Sequence, residues 1–232
     1  MINRPVLITG AARSGTSLTA GIVHLCGAWG GVMFGANNNN KKGMFENSEI
    51  RQDLTKPYLR ALKVDPLGQN PLPDLSNPEL VERLITDGRT WWRSKVSGAI
   101  QRQGYIEGPW FYKGAKMCLI WPLWDAAFPQ AKWIIVRRST DDIAASCMRT
   151  GFMRAYRTME GWRAWVKIHE NRFTEMKLAG LDIKEIWPQQ IIRGELSGIK
   201  GILNWIGLPF NEDKILDFVS PSLWKEGRHY GK

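Results

Sequence analysis

The sequence lacks a long apolar run, a signal-peptide pattern and a cysteine framework. Its longest apolar runs, residues 117–124 and 133–136, fall well short of the roughly 20 residues that a membrane-spanning helix needs. The chain enters a strand-like run at Pro5, which leaves no room for the apolar region of a signal peptide. Its three cysteines, Cys26, Cys118 and Cys147, have no metal-ligand spacing. We therefore expect a cytoplasmic protein with reduced, mostly buried thiols, no membrane anchor and no bound metal.

The composition is that of a globular protein. Of the 232 residues, 44% are hydrophobic and 23% are charged, which excludes a disordered or collagen-like chain. We find no linker and no internal repeat, so residues 1–232 are expected to form a single domain. The formal net charge of +10 attracts anions, and it suits nucleotides, sulfated or phosphorylated ligands, nucleic acid or anionic lipid.

Strand and helix patterns alternate along the chain. Short apolar, β-rich runs predict strands at 5–9, 110–113 and 132–136, and a last strand is expected near 183–187. Helical spacing predicts helices at 15–27, 47–62, 78–103, 120–128, 140–149, 156–176, 196–206 and 213–219. The Gly- and Asn-rich residues 28–43 predict a mobile loop that is a candidate lid. This order favours an α/β fold with three layers, α/β/α, around a mostly parallel central sheet.

The first candidate site runs from Gly10 to Ser17, between a predicted strand and a predicted helix. Gly10 and Gly15 are separated by four residues, as in a P-loop, whose backbone N–H groups point at an anion. Thr16 stands where a P-loop has the lysine that reaches the β- and γ-phosphates. The cation lies within the loop instead, as Arg13, whose planar fork can grip an anionic group. This weakens a kinase or ATPase interpretation.

The second candidate site follows the strand at 132–136. That strand ends in Arg137 and Arg138, whereas a P-loop NTPase usually ends it in an aspartate that supports Mg²⁺. Ser146 follows Arg138 by eight residues (146 minus 138), about two turns into the next helix. Arg138 and Ser146 are therefore expected to converge on a further phosphate.

Together these segments resemble the sulfotransferase family that uses 3'-phosphoadenosine 5'-phosphosulfate. Residues 12–17 resemble the 5'-phosphosulfate loop of the family, and residues 138–146 resemble its 3'-phosphate motif. Residues 205–209, Trp-Ile-Gly-Leu-Pro, are similar to the Phe-Leu-Gly-Leu-Pro that ends a late helix. A looser likeness covers residues 43–47 and 113–116, where Lys116 stands in place of an arginine. The resemblance spans residues 5–209.

The resemblance implies metal-independent, in-line transfer of a sulfuryl group from this donor to a hydroxyl or amine. It implies that Arg138 and Ser146 hold the 3'-phosphate. Arg13, with Lys113 or Lys116 as a second cation, would stabilise charge on the leaving phosphate. The loop residues that would hold the 5' end of the donor are Arg13, Ser14, Gly15, Thr16 and Ser17.

We expect Glu46 to be the base that takes the acceptor's proton. It follows the Asn-rich loop, and a partly desolvated carboxylate can have its pKa raised toward the working range. Glu49, Asp53 and His24 are alternative bases. The acceptor itself, whether carbohydrate, phenol, lipid, peptide or small metabolite, is not specified by any motif.

Two other functions are compatible with parts of the sequence. A P-loop nucleotide or small-molecule kinase would share the glycine spacing, but the missing lysine and aspartate count against it. A basic nucleic-acid-binding module would suit the net charge and the aromatic content, but the sequence has no recognition motif. We therefore expect no specific nucleic-acid partner.

Overall fold

The protein is described here by a computed structural model of residues 4–224. The basic, aromatic segment 224–230, whose sequence has a slight likeness to a basic carboxy-terminal nucleotide contact of the sulfotransferase family, lies outside these residues except for Trp224. Each of the four predicted strands is confirmed, as β1 (Pro5–Thr9), β2 (Trp110–Lys113), β3 (Lys132–Val136) and β4 (Ile183–Ile186). They form one sheet in the order β2-β1-β3-β4, and all neighbouring pairs are parallel. The α/β prediction is correct.

Ten α-helices accompany the sheet within residues 4–224. The helices are α1 (Thr16–Leu25), α2 (Lys56–Ala61), α3 (Pro78–Asp87), α4 (Arg93–Arg102), α5 (Trp121–Ala127), α6 (Thr140–Met148), α7 (Met159–Leu178), α8 (Pro188–Ile192), α9 (Ser197–Ile206) and α10 (Glu212–Phe218). Two segments are π-helical. Ile50–Thr55 leads into α2, and Gly88–Trp92 joins α3 to α4. Only α8 has no counterpart among the predicted helices. None of these helices has the length and apolar character needed to cross a bilayer.

The side chains of the strands alternate between two cores, which confirms the three-layer arrangement. Leu7, Tyr112 and Ile135 face one core with residues of α3, α4, α5 and α7. Ile8 and Ile134 face the other core with residues of α1, α9 and α10. Because consecutive strand residues point to opposite faces, a sheet buried on both sides needs apolar residues at nearly every position. The three cysteines are free and buried, as expected.

The strand order places a crevice between the ends of β1 and β3. The strand that follows β1 in the chain, β2, lies on one side of this crevice. The strand that follows β3, β4, lies on the other side, so the direction of the connections reverses between β1 and β3. Ligands of open α/β sheets bind outside the carboxyl ends of the strands at such a reversal. The two sequence-predicted sites follow β1 and β3, so the topology brings them together.

The Asn-rich segment differs from the predicted loop because residues 32–48 form a hairpin, in which residues 32–34 pair with residues 44–48. The backbone N–H of Phe34 donates to the carbonyl oxygen of Glu46 at 3.0 Å, and that of Ser48 donates to Val32 at 2.8 Å. Lys42 Nζ donates to the carbonyl oxygen of Phe218 at 2.7 Å, which ties the hairpin to the end of α10. The pairing holds Glu46 in a defined position at the carboxyl edge of the sheet.

Gly10 allows the ends of β1 and β3 to approach closely. A β-carbon at this position would lie 2.5 Å from the carbonyl oxygen of Val136 and 2.7 Å from Ser14 Oγ. We expect Gly10→Ala to lower the free energy of unfolding by about 1–3 kcal/mol, because the backbone must move apart to relieve the overlap. Urea unfolding of the variant measures this change. Gly151→Ala is the control, because a β-carbon added there would have no atom of residues 4–224 within 4 Å apart from those of Gly151 and its chain neighbours. An equal effect of both substitutions would contradict the argument.

Candidate functional site

A cavity of about 690 Å³ lies at the carboxyl edge of the sheet. Its walls come from the loop after β1, the end of β2, Arg138 after β3, the end of α6 with the residues that follow it, the hairpin and the segment after α10. Among residues 4–224, eight cationic side chains line it and one carboxylate, that of Glu46. The cationic residues are Arg13, Lys41, Lys42, Arg51, Lys113, Lys116, Arg138 and Arg149. Such an excess of positive charge in a partly enclosed space attracts polyanions.

The loop after β1 forms an anion cradle at the start of α1. Arg13 and Gly15 adopt left-handed backbone conformations, with φ of 74° and 103°. No side chain caps α1, so its first N–H groups have no intrahelical acceptor and remain available to a ligand. Thr16 and Ser17 line the cavity, and Ser17 Oγ donates to the carbonyl oxygen of Met44 at 3.3 Å.

Ser14 differs from the other predicted loop residues. Its side chain is buried and does not line the cavity. Its backbone N–H donates to the carbonyl oxygen of Ala11 at 3.1 Å, and its hydroxyl lies close to Gly10. Ser14 therefore stabilises the turn through its backbone N–H. Neither this N–H group nor its hydroxyl lies at the cavity.

Arg13, Ser146 and Arg138 form one cluster, which we call the arginine cluster. Arg13 Nε donates to Ser146 Oγ at 3.1 Å, and Arg138 Nη1 donates to the carbonyl oxygen of Arg13 at 3.1 Å. The guanidinium of Arg138 lies 4.2 Å from the ring centre of Trp224. Burial lowers the pKa of Arg13, with a smaller contribution from Arg149. The structure thus joins the two sites that the sequence predicted separately.

Glu46, Lys113, Arg51 and Lys116 form a second cluster, which we call the lysine cluster. Lys113 Nζ donates to Glu46 Oε1 at 3.1 Å, and Arg51 Nε lies 2.6 Å from Glu46 Oε2. Lys116 is 9% exposed and lines the cavity. Within residues 4–224, its ammonium group makes neither a hydrogen bond nor a salt bridge.

The charges of the lysine cluster shift the pKa values of its members. Burial alone raises the pKa of Glu46, but the positive charges of Lys113, Lys116 and Arg51 outweigh it and lower the pKa to about 2. The expectation of a raised pKa is therefore wrong for the protein without ligand. Burial lowers the pKa of Lys116 to about 8, because it disfavours the charged ammonium. The nearby Glu46 opposes this shift, and the neighbouring cations add to it.

Glu46 is the one candidate base among four that lines the cavity. Glu49 pairs with Arg102 on the outside of the hairpin, which lowers the pKa of its carboxyl group. Asp53 is exposed in the π-helical segment, and His24 lies in the last turn of α1 with Nδ1 3.1 Å from the carbonyl oxygen of Ala28. None of these three reaches the cavity.

Arg51 is a site residue that the sequence analysis did not identify. It lies in the π-helical segment, its guanidinium lies 4.9 Å from the ring centre of Phe34, and it lines the cavity. π-Helical turns often occur at functional sites. The π-helical geometry is therefore a structural indication that Arg51 belongs to the site, whereas no sequence motif identifies it.

No protein-family model and no curated protein sequence matches the chain. Solved structures do. The sulfotransferase domain of an olefin synthase from Synechococcus aligns with a TM-score of 0.58 at 15% identity, over 94% of this chain and 78% of that one. The chain has the sulfotransferase fold.

Two further sulfotransferases with this fold align over most of the chain. STF1 from Mycobacterium tuberculosis aligns with a TM-score of 0.53 at 15% identity, over 94% of this chain and 71% of that one. STF9 from Mycobacterium avium aligns with a TM-score of 0.54 at 13% identity, over 94% and 68%. The sequence-predicted fold is thus confirmed, and identities this low establish the fold alone.

The ion pairs of Glu46 predict a loss of stability in acid. Because the pKa of Glu46 falls from its ordinary value of 4.5 to about 2, its ionised form stabilises the fold by about 3 kcal/mol at neutral pH. This contribution is present above pH 4.5 and is lost as the pH falls toward 2. Urea unfolding between pH 7 and pH 2.5 measures it, with Glu46→Gln compared with the native chain. The difference in stability between the two proteins is expected to shrink below pH 4.5; a constant difference would contradict the assignment.

Proposed function

We propose that the protein is a sulfotransferase that moves a sulfuryl group from 3'-phosphoadenosine 5'-phosphosulfate to a hydroxyl or amine. The observation that carries the proposal is the pair of cationic clusters on either side of the start of α1. This donor is anionic at two separate positions, the 5'-phosphosulfate and the 3'-phosphate. A cavity that residues 4–224 line with eight cations and one carboxylate suits such a ligand.

The arginine cluster is the proposed 3'-phosphate site. Arg138 and Arg13 supply two guanidinium forks, and Ser146 adds a hydroxyl that already contacts Arg13. Because Arg13 donates a hydrogen bond to Ser146, we assign its guanidinium to this phosphate and not to the leaving phosphate, which was the role expected from the sequence. The backbone of Arg13 and the residues Gly15, Thr16 and Ser17 hold the 5' end, where the N-terminus of α1 favours negative charge.

The lysine cluster is the proposed transfer centre. The donor supplies the sulfuryl group: the acceptor oxygen or nitrogen forms the new bond to sulfur as the bond from sulfur to the 5'-phosphate oxygen breaks. Lys113 at the end of β2 and Lys116 in the turn after it would stabilise the negative charge that develops on that phosphate oxygen. These two fixed ammonium groups perform the charge stabilisation without a metal ion in the proposed step.

Glu46 is the proposed base that takes the acceptor's proton. With a pKa of about 2 it is ionised but weakly basic. An anion placed between Lys113 and Lys116 would offset the charges that lower this pKa, so donor binding would raise it. Glu46 would then receive the proton that leaves the acceptor as the new bond forms.

The two alternative functions receive less support from the structure. A kinase needs a lysine and an acidic Mg²⁺ partner at the phosphate loop, and here β3 is followed by Arg137 and Arg138. A nucleic-acid module needs an exposed basic surface, whereas Lys113, Lys116 and Arg138 are buried around a cavity. Cytoplasmic location stays a prediction from the sequence.

Calorimetric titration with adenosine 3',5'-bisphosphate tests the proposed donor site. We expect tight binding of this product, weak binding of 5'-AMP because it lacks the 3'-phosphate, and no preference for ATP with Mg²⁺. Preference for ATP with Mg²⁺ would favour the kinase. Equal, salt-sensitive binding of any polyanion, including oligonucleotides, would favour the nucleic-acid module.

Arg138→Ala is expected to weaken binding of the bisphosphate by about 1.5–3 kcal/mol, the value of a hydrogen bond to a charged group. The affinity of the Arg138→Ala protein for 5'-AMP should equal that of the native chain, because 5'-AMP has no 3'-phosphate. Arg163→Ala is the control, since Arg163 pairs with Asp141 on the surface outside the cavity. Unchanged bisphosphate affinity in a folded Arg138→Ala protein would remove the 3'-phosphate assignment.

Glu46→Gln is expected to abolish turnover while bisphosphate binding is retained, because the amide cannot accept a proton and the arginine cluster that holds the 3'-phosphate is unchanged. Radiolabelled sulfate transfer measures turnover, and calorimetry confirms that the variant folds and binds. Glu49→Gln is the matched control, because Glu49 does not line the cavity. Turnover that survives Glu46→Gln would assign the base elsewhere.

A further inference from the structure

Three large apolar side chains, Leu67, Phe152 and Leu223, line the cavity although they are exposed, and the buried side chain of Gln69 joins the segments of the first two. Leu67 is 42% exposed and Phe152 is 37% exposed. We call Leu67 and Phe152 the apolar lip. Other exposed apolar residues, such as Ile106 and Leu178, lie away from the cavity. Exposed apolar surface at the mouth of a cavity commonly marks a surface that a ligand covers.

The apolar lip is held in place by polar contacts of Asp65 and of the buried residue Gln69. The carboxylate of Asp65 accepts the backbone N–H groups of Leu67 at 3.0 Å and of Gln69 at 2.8 Å, which closes a tight turn. Gln69 is 3% exposed, and its Nε2 donates to the carbonyl oxygen of Phe152 at 2.8 Å. Its Oε1 accepts the backbone N–H of Arg154 at 2.7 Å. One buried side chain thus fixes the two halves of the lip relative to each other.

The lip lies directly beside the lysine cluster. Gly68, which follows Leu67, has φ of 73°, and a β-carbon there would lie 3.1 Å from Cγ of Lys116. The turn therefore packs on the aliphatic stem of Lys116, whose ammonium group lines the same cavity. If a bound molecule lies along the lip with its hydroxyl at the lysine cluster, the rest of the molecule contacts Leu67 and Phe152.

We propose that the acceptor is an alcohol with an apolar body, which lies against the apolar lip while its hydroxyl points toward Glu46 and Lys116. This inference rests on the proposed function. Covering Leu67 and Phe152 with carbon removes apolar surface from water. A sugar ring carries hydroxyl groups on most of its carbons, and those facing the lip would lose their hydrogen bonds to water without replacement.

The test compares two probes that share a six-membered ring with a CH₂OH group. Cyclohexylmethanol has no other polar group, whereas methyl glucopyranoside carries ring hydroxyls. In NMR titrations of the full chain we expect cyclohexylmethanol to bind at least about tenfold more tightly. Equal affinity for the two probes, or tighter binding of the glucoside, would overturn the inference.

Variants of the lip locate the binding. Leu67→Asn and Phe152→Ser should each weaken cyclohexylmethanol binding by about tenfold, because each removes apolar contact area. Ile106→Asn, a change at a residue 89% exposed and outside the cavity, should leave it unchanged. Cyclohexylmethanol affinity that is the same in all three variants would show that the lip is not the acceptor wall.

Bisphosphate titrations separate this inference from the proposed function. The lip variants are expected to bind adenosine 3',5'-bisphosphate like the native chain, since neither residue belongs to the two cationic clusters. If the native chain fails to bind the bisphosphate, the proposed function fails, whatever the probes do. If it binds the bisphosphate and still prefers the glucoside, only the acceptor assignment fails.

Discussion

The site depends on one electrostatic constraint, which is that buried positive charge requires a negative partner. Lys113 is 4% exposed and Lys116 is 9% exposed, and burial of an unpaired ammonium group costs several kcal/mol. Glu46 supplies the one carboxylate that lines the cavity within residues 4–224, and the hairpin holds it against Lys113. One carboxylate cannot balance two lysines and Arg51, so the cavity keeps an excess of positive charge. An anionic ligand would neutralise this excess charge.

Much of the fold could be predicted from the sequence because β1, β2 and β3 are buried on both faces. Such strands are short, continuous apolar runs, and three of the four have the predicted bounds. Helix α8 was missed because five residues beginning with Pro188 are too few to show helical spacing. The hairpin was missed because Gly- and Asn-rich residues carry no alternating pattern. Its register comes from backbone hydrogen bonds such as that from Phe34 to Glu46, which composition does not encode.

The site was predicted where residues follow strand ends and was missed where it depends on tertiary contacts. Arg13 and Arg138 follow β1 and β3, and parallel strands place their carboxyl ends at one edge. The contact between Arg13 and Ser146 joins residues 133 positions apart, so no local motif reports it. For the same reason the sign of the pKa shift of Glu46 was missed. Burial alone would raise this pKa, and the cations that reverse the shift come from the end of β2, the turn after it and the π-helical segment.

In the proposed reaction, Glu46 faces two demands that conflict in the protein without ligand. As the counterion of Lys113 and Arg51 it must remain ionised, whereas a base must be able to hold a proton. A carboxylate with a pKa of about 2 meets the first demand and not the second. An anion between the same cations would take over the role of counterion and leave Glu46 the more basic group. Proton transfer would then be coupled to the presence of the donor, so the base would become effective only once a sulfuryl group is available for transfer.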